Sequence, residues 1–184
     1  MSADIFPAAK SGTKGYDREQ VDEFFQRARA AYEQRDTSIS VTAADVRSAR
    51  FALRRGGYSI AAVDGALDRL ESAVIKRQRA AFVARSGQEQ WLKRIADDAT
   101  ALYPRLLRSR GERFSHPRRG SGYNIEEVDD FLDRLTGYFD NGEAIFADDI
   151  RAVTFRPARG RKAYSESVVD AYLARAHEVL LAIE

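Results

Sequence analysis

The chain lacks the residues on which many enzyme sites depend. It has no cysteine, which excludes disulfides, thiolate nucleophiles and sulfur-ligated zinc. Its only histidines, His116 and His177, stand in unlike sequence contexts, so no catalytic or metal-binding pair is visible. A glycine-rich phosphate loop of known spacing and a nucleophile with an evident base are missing as well. We therefore expect no enzymatic activity, no metal and no cofactor.

Long apolar runs are also missing. No stretch approaches the roughly 20 apolar residues that a membrane-spanning helix needs. The N-terminal MSADIFPAAKSG has neither the basic nor the apolar region of a signal peptide. With four prolines in 184 residues and a charged fraction of 32%, the composition favours a helix-rich protein. We expect it to be cytoplasmic, or peripheral at the inner face of the membrane.

One short pattern occurs four times in the sequence. GYDREQVDEFF returns as GYSIAAVDGAL, GYNIEEVDDFL and AYSESVVDAYL, and we call these segments copies one to four. The residue after each tyrosine is a good helix N-cap, and a valine follows at the fourth helical position. Asp17 with Gln20, Asn124 with Glu127, and Ser86 with Glu89 further on, have the spacing of a capping box. In three copies a glycine precedes the tyrosine and predicts a tight turn.

Apolar residues continue from each valine at steps of three and four, which indicates one buried face per helix. Successive tyrosines are 42, 65 and 41 residues apart, so the copies group two by two. The predicted fold is all-α, with two pseudo-dimeric pairs of loop-helix repeats joined by a helical spacer and helix faces close to a coiled-coil seam. The expected boundaries are a first pair at 1–85 (copies at about 6–36 and 44–85), a spacer at 86–110, and a second pair at 111–184 (copies at about 112–140 and 147–184).

The loops in front of the tyrosines are one-sidedly basic. Each runs from a single phenylalanine to the tyrosine, and together they hold ten Lys or Arg in 39 residues and no acid. At the acidic content of the whole chain, about six acids would be expected there. The net charge is only +2, so a basic surface must come from these loops rather than from a global field.

The order of phenylalanine, basic loop, Gly-Tyr, cap and Val-Asp resembles the N-terminal domain of the DivIVA family of bacterial cell-division and polar-growth proteins. The match covers about 30 residues in each of the four copies. The resemblance implies a short helix, a loop and a long helix that pairs with its twin. It also implies membrane binding through a loop aromatic flanked by basic residues. In the related GpsB proteins, a groove of tyrosine and acids captures arginine-bearing peptides of cell-wall synthases.

Carried over by position, the resemblance implies two sets of site residues. The membrane-loop set is Phe6, Lys10, Lys14, Phe51, Arg54, Arg55, Phe114, Arg118, Arg119, Phe155, Arg159, Arg161 and Lys162. The partner-groove set is Tyr16, Asp22, Tyr58, Asp64, Asp68, Tyr123, Asp129, Asp133, Tyr164 and Asp170. Copies two and three carry two acids each, so a partner's arginine is expected there, held against a tyrosine ring by two carboxylates.

Plainer readings of the same residues stay open. The phenylalanines pack under their own loops in one reading, and the aspartates answer the helix macrodipole in another. Arg27 and Arg134 have an acid four residues earlier, Glu23 and Asp130, which predicts ion pairs along the helix.

Two functions are left by these observations. The first is a non-enzymatic scaffold or adaptor in bacterial cell division or polar cell-wall growth. It would bind the membrane surface, arginine-containing tails of division or cell-wall synthesis proteins, or both, and could self-associate. The alternative is a helical nucleic-acid-binding protein that uses basic loops at helix N-termini to contact phosphates.

Overall fold

The computed structural model describes residues 4–33 and 40–184 and is mostly helical, with a few short strands. The high helical content confirms that part of the prediction, whereas the strands were not foreseen. The chain divides into two compact units, Met1–Ala81 (unit 1) and Phe82–Glu184 (unit 2). Residues 34–36, predicted as the end of copy one, lie outside the described part of the chain.

Unit 1 carries copies one and two. Its elements are β1 (Lys14–Tyr16), α1 (Arg18–Tyr32), α2 (Ala43–Arg47), β2 (Leu53–Arg55) and most of α3 (Ile60–Ser86). The short helix α2 lies before the second loop, at a place where the resemblance implies a short helix.

Unit 2 carries copies three and four. Its elements are α4 (Gln88–Thr100), α5 (Tyr103–Leu106), β3 (Ser121–Asn124), α6 (Ile125–Asn141), α7 (Ala147–Ala152), β4 (Pro157–Arg159), a 3₁₀ turn (Gly160–Lys162), β5 (Ala163–Tyr164) and α8 (Glu166–Ile183). The segment expected as a helical spacer contributes α4, α5 and the turn between them, and it buries Trp91, Ile95, Leu102 and Leu106 in the core of unit 2. It is therefore part of this folded unit.

The valines of the repeat form the centre of each core. Val21 and Val63 in unit 1, and Val128 and Val169 in unit 2, are each 0% exposed. In unit 1 they pack with Phe24, Leu67 and neighbouring residues, and in unit 2 with the leucines that continue the apolar faces of α6 and α8. Burying an aliphatic or aromatic side chain of this size is worth about 1.5–3 kcal/mol, so these faces hold the helices of each unit together.

At α1 and α6 the residue after the tyrosine caps the helix as predicted, whereas Ser165 makes no side-chain cap bond at α8 and the capping boxes are not closed. The Asp17 carboxylate accepts from the Gln20 backbone N–H at 3.2 Å. The Gln20 side chain does not return to the cap, and instead accepts from the Ala52 backbone N–H at 2.8 Å. Glu127 makes the same bond to the Arg156 N–H at 2.7 Å. The third helical residue thus ties its helix to the loop of the other copy in its unit.

The capping box expected at Ser86 is wrong. Helix α3 continues through Ser86, and α4 begins after Gly87, whose φ is 86° and which offers no side chain to cap the helix. A left-handed residue between two helices is a position that suits glycine.

The basic loops pair with each other as short antiparallel strands. In unit 1, β1 pairs with β2, so that Lys14 lies opposite Arg55. In unit 2 the strand order is β4-β3-β5, with Ser121 opposite Arg159 and Tyr123 opposite Tyr164. We call the paired loops of each unit its basic ribbon, residues 6–16 with 51–58 in unit 1 and residues 114–123 with 155–164 in unit 2.

The glycines before the tyrosines serve this pairing rather than a tight turn. None of Gly15, Gly57 and Gly122 has a left-handed φ. A Cβ on Gly15 would lie 2.1 Å from the Tyr58 carbonyl oxygen, and one on Gly122 would lie 2.0 Å from the Tyr164 oxygen. The two backbones approach so closely that only glycine fits.

Replacement of Gly15 by Ala should therefore destabilise unit 1. The clash is with backbone, which cannot rotate away, and we expect a loss of about 2 kcal/mol. Gly65→Ala is the matched control, because this glycine lies inside α3 with its nearest neighbour, Arg69 Nη1, at 3.7 Å. Helix propensity alone should make the control more stable, by up to about 1 kcal/mol. Urea unfolding of both variants measures the difference, and equal midpoints would contradict the close-approach argument.

Candidate functional site

The tyrosines and aspartates of the repeat are paired between copies, not within them. In unit 1 the Tyr58 hydroxyl donates to Asp22 at 3.3 Å, and Tyr16 lies near Asp64, whose charge contributes to a raised pKa of the Tyr16 hydroxyl. The groove was expected to combine a tyrosine and an aspartate of one copy. Instead each aspartate is close to the tyrosine of the neighbouring copy, and the Tyr58–Asp22 hydrogen bond joins the two copies.

Unit 2 repeats the arrangement. Tyr164 donates to the two carboxylate oxygens of Asp129 at 3.1 and 3.2 Å, and Tyr123 lies near Asp170, which contributes to a raised pKa of the Tyr123 hydroxyl. Tyr164 is 0% exposed and Asp129 1% exposed, so this pair is part of the core. An aspartate that accepts a hydrogen bond from a buried hydroxyl is not free to bind a partner's arginine.

Burial and the paired carboxylates keep the four tyrosines protonated. Burial is the largest cause and raises the pKa of each hydroxyl, and the neighbouring aspartate raises it further. The backbone N–H groups of Ile5 and Arg113 donate to Tyr58 and Tyr164 and act in the opposite direction. The hydroxyls are therefore donors at neutral pH.

The loop phenylalanines pack inside their units. Each makes a ring contact with the tyrosine of the other copy in its unit, and Phe114 is only 4% exposed. The ring-centroid distances are 5.5 Å for Phe6–Tyr58, 5.4 Å for Phe51–Tyr16, and 5.3 Å for both Phe114–Tyr164 and Phe155–Tyr123. The structure thus has the internal packing and not a set of protruding wedges, because these rings close the core beneath each ribbon.

The basic side chains of the ribbons point the other way, into solvent. All nine predicted positions are exposed: Lys10, Lys14, Arg54, Arg55, Arg118, Arg119, Arg159, Arg161 and Lys162. Within the described residues only Arg54 of this set has an acidic partner, Asp17. Pairing of the loops thus gathers several unneutralised cations on each ribbon.

The acids of copy three are already occupied by arginines of the same chain. Arg113 Nη2 donates to Asp133 at 2.5 Å, and its Nη1 lies 3.7 Å from the Asp129 carboxylate. Arg110 contacts both Asp130, at 2.5 Å, and Asp133. Burial acts to raise the pKa of Asp133, but hydrogen bonds from the two arginines outweigh it and lower that pKa. The expected arginine is present, but it is internal.

The matching acid in unit 1 has no such arginine. Ile5 stands where unit 2 has Arg113, since the backbone N–H of either residue donates to the corresponding tyrosine hydroxyl. In the described part of the chain, Asp22 Oδ1 is buried and without a hydrogen-bond partner. Gln26 replaces the second acid here. Of the other expected groove acids, Asp68 is half-buried on α3 and Asp170 is exposed.

The ion pairs predicted along α1 and α6 do not form. Arg27 lies over the ring of Phe24, with its guanidinium carbon 5.5 Å from the ring centroid, and Arg134 lies 5.6 Å from that of Phe131. The acid before Arg134, Asp130, pairs with Arg110 instead. A cation over an aromatic face is attracted by the ring quadrupole, which offsets the missing ion pair.

The arginines Arg110 and Arg113 were missed by the sequence reading. In RSRGERF both precede Phe114, which was taken as the start of the loop, so they fell outside the aligned copies. Their position could have indicated this role, because they directly precede copy three. The helix of this copy carries three acids close together, Asp129, Asp130 and Asp133.

The described residues contain neither a group of His, Cys, Asp or Glu side chains that could hold a metal ion nor a helix long and apolar enough to cross a membrane.

Removal of the Asp129 carboxylate should unfold unit 2 rather than merely change its surface. Asp129→Ala leaves Tyr164, the Gly111 N–H (2.6 Å from Asp129) and Arg113 without their buried acceptor. Breaking a buried charged network of this kind costs about 3–5 kcal/mol. Asp170→Ala is the matched control, since it removes the equivalent carboxylate from an exposed position. Thermal unfolding followed by circular dichroism compares the two, and an unchanged melting temperature for Asp129→Ala would contradict the structural role.

Comparison with protein-family models, with curated proteins and with solved structures finds no match to this chain.

Proposed function

We propose that this protein is a non-enzymatic, DivIVA-like scaffold or adaptor of bacterial cell division or polar cell-wall growth, which docks on an anionic membrane surface. In this proposal the copies form two pseudo-dimeric pairs, each of which mimics within one chain the paired domain that the resemblance implies. The reciprocal Tyr–Asp and Phe–Tyr contacts between copies support that reading. In this proposal the protein is cytoplasmic and peripheral at the inner face of the membrane.

The observation that carries the proposal is the composition of the basic ribbons. Their loops contain no acid, and pairing places the cations of two loops on one surface. Like charges on adjacent strands, such as Lys14 opposite Arg55, disfavour folding. An anionic surface relieves that repulsion, and each Lys or Arg near anionic lipid contributes roughly 1 kcal/mol.

The helix starts give less support to nucleic-acid binding. At α1 and α6 one first-turn N–H group that would meet a phosphate, that of Gln20 or Glu127, is already engaged by the side chain of Asp17 or Asn124. These two helix termini therefore have one donor fewer for a phosphate, although a ribbon could still meet any polyanion through charge alone.

Vesicle binding tests the proposal. The full chain should pellet with vesicles rich in phosphatidylglycerol but not with pure phosphatidylcholine, and less as salt rises. Charge reversal of Lys14, Arg55, Arg159 and Arg161 to Glu should abolish pelleting. The matched control reverses Lys76, Arg85, Lys93 and Arg108, exposed or largely exposed cations outside the ribbons, with the same change in net charge.

Two outcomes would contradict it. If the ribbon and control variants lose binding equally, the surface is not specific to the ribbons. If the protein ignores anionic vesicles but binds duplex DNA with a steep salt dependence, the alternative function is favoured instead.

We further propose that unit 1 holds the arginine of a partner's tail at Asp22. Unit 2 provides the precedent, because Arg113 occupies the corresponding place beside Asp129. The unpartnered Oδ1 of Asp22 is a buried acceptor, and a charged donor stabilises such an oxygen more than water does. The expected binding site thereby moves from copies two or three to copy one.

An arginine-bearing peptide should bind the full chain through this carboxylate. With acetyl-Gly-Arg-Gly-amide as the probe, we expect Asp22→Asn to weaken binding at least tenfold, while Tyr58 keeps an acceptor. Asp170→Asn is the control and should bind as the unchanged protein does. Equal binding by both variants, measured by calorimetry, would exclude Asp22 as the arginine site.

A further inference from the structure

Both units have an open groove at equivalent positions. In unit 1 it lies between α1 and residues 49–51 and has a volume of about 610 Å³. In unit 2 it lies between α6 and residues 153–157 and has about 630 Å³. The floor is a phenylalanine from the helix and a loop phenylalanine, Phe24 with Phe51 or Phe131 with Phe155. We call these the phenylalanine grooves, and none of the nine exposed basic positions predicted in the loops lines them.

In the described part of unit 2, one cation of the groove has no acidic partner. Glu127 pairs with Arg156, and Asp130 pairs with Arg110. Arg134 has no acidic partner in the described residues and lies over Phe131 at 5.6 Å. When a guanidinium stacks on an aromatic ring, only the face of the guanidinium contacts the ring. The N–H groups along its edge remain available to a carboxylate.

The opposite wall of the groove is an extended backbone segment with unused hydrogen-bonding groups. Within the described residues, neither Thr154 nor Phe155 makes a backbone hydrogen bond. Their neighbour Arg156 begins the contacts of the ribbon, where its carbonyl accepts from Asn124 at 2.9 Å. Unpaired N–H and C=O groups beside an apolar floor suit the addition of an extended peptide.

From these features we propose that the phenylalanine groove of unit 2 binds an extended segment of a partner protein in which an apolar side chain is next to an acidic one. The apolar side chain packs on Phe131 and Phe155, the carboxylate pairs with Arg134, and the peptide backbone pairs with Thr154. The groove of unit 1 fits the same peptide less well. There Glu23 is exposed, has no ion pair in the described residues, and repels the carboxylate.

A defined peptide tests this without membrane or partner protein. The probe is acetyl-Ser-Leu-Phe-Glu-Ser-amide, titrated into the isotope-labelled full chain and followed by backbone amide shifts. We expect saturable shifts at Thr154 and Phe155, and at least tenfold weaker binding when Lys replaces Glu in the peptide.

Charge reversal identifies the cation. Arg134→Glu should weaken binding of the Glu peptide at least tenfold and strengthen binding of the Lys peptide, with Arg134→Gln as a second, milder variant. The matched control is Arg69→Glu, which reverses the equivalent exposed arginine of copy two. The proposal is overturned if the amides of the groove do not shift, if the Glu and Lys peptides bind alike, or if Arg134 variants and the control behave alike.

Discussion

In each unit one hydrogen bond joins a tyrosine to the aspartate of the other copy, from Tyr58 to Asp22 and from Tyr164 to Asp129, and it is the constraint on which the structure depends. It requires the two loops to cross, because a tyrosine can reach the other helix only if the strands before it lie side by side. That crossing in turn requires glycine at the point of closest approach, where Gly15 and Gly122 meet a carbonyl oxygen of the other strand. The phenylalanine of each loop then fills the space beneath the other tyrosine. The residues of the repeat are thus explained by one interlocking contact.

The helices could be predicted from the sequence because their signals are local. Cap residues, the valine at the fourth position and the apolar steps all act within one or two turns, and the valines are buried as expected. The strands could not be predicted in the same way. Each is two to four residues long, and it exists only because a loop far along the chain supplies the other half of the ladder. Gln20 and Glu127 show the same limit, since their capping-box spacing is correct and their actual partners are in the neighbouring loop.

The candidate site divides along the same line. The basic loop residues could be predicted from composition to be exposed and mostly unpaired, because a loop without acids offers them no neighbouring carboxylate. Whether the acids of the groove are free or paired could not be predicted in this way, because it depends on which arginine of the chain packs against them. Arg113 is held in unit 2 by carboxylates of α6, by the carbonyl of Asp129 at 2.9 Å, and by the tyrosine that binds its own N–H. Nothing in the local spacing of RSRGERF indicates that these contacts form within the chain.

The surface charge of the protein depends on which groups its acidic side chains pair with. The aspartates next to the ribbons turn inward to tyrosine hydroxyls, and the acids of α6 are taken by Arg110, Arg113 and Arg156. A chain with almost balanced charge thereby becomes strongly basic on its ribbons, although its net charge is only +2. Because Asp22 and Asp129 hold the fold together, these two acids cannot be turned outward to neutralise the ribbons without opening the contact between copies. The same interaction that closes each unit therefore leaves its cations available to an external anion.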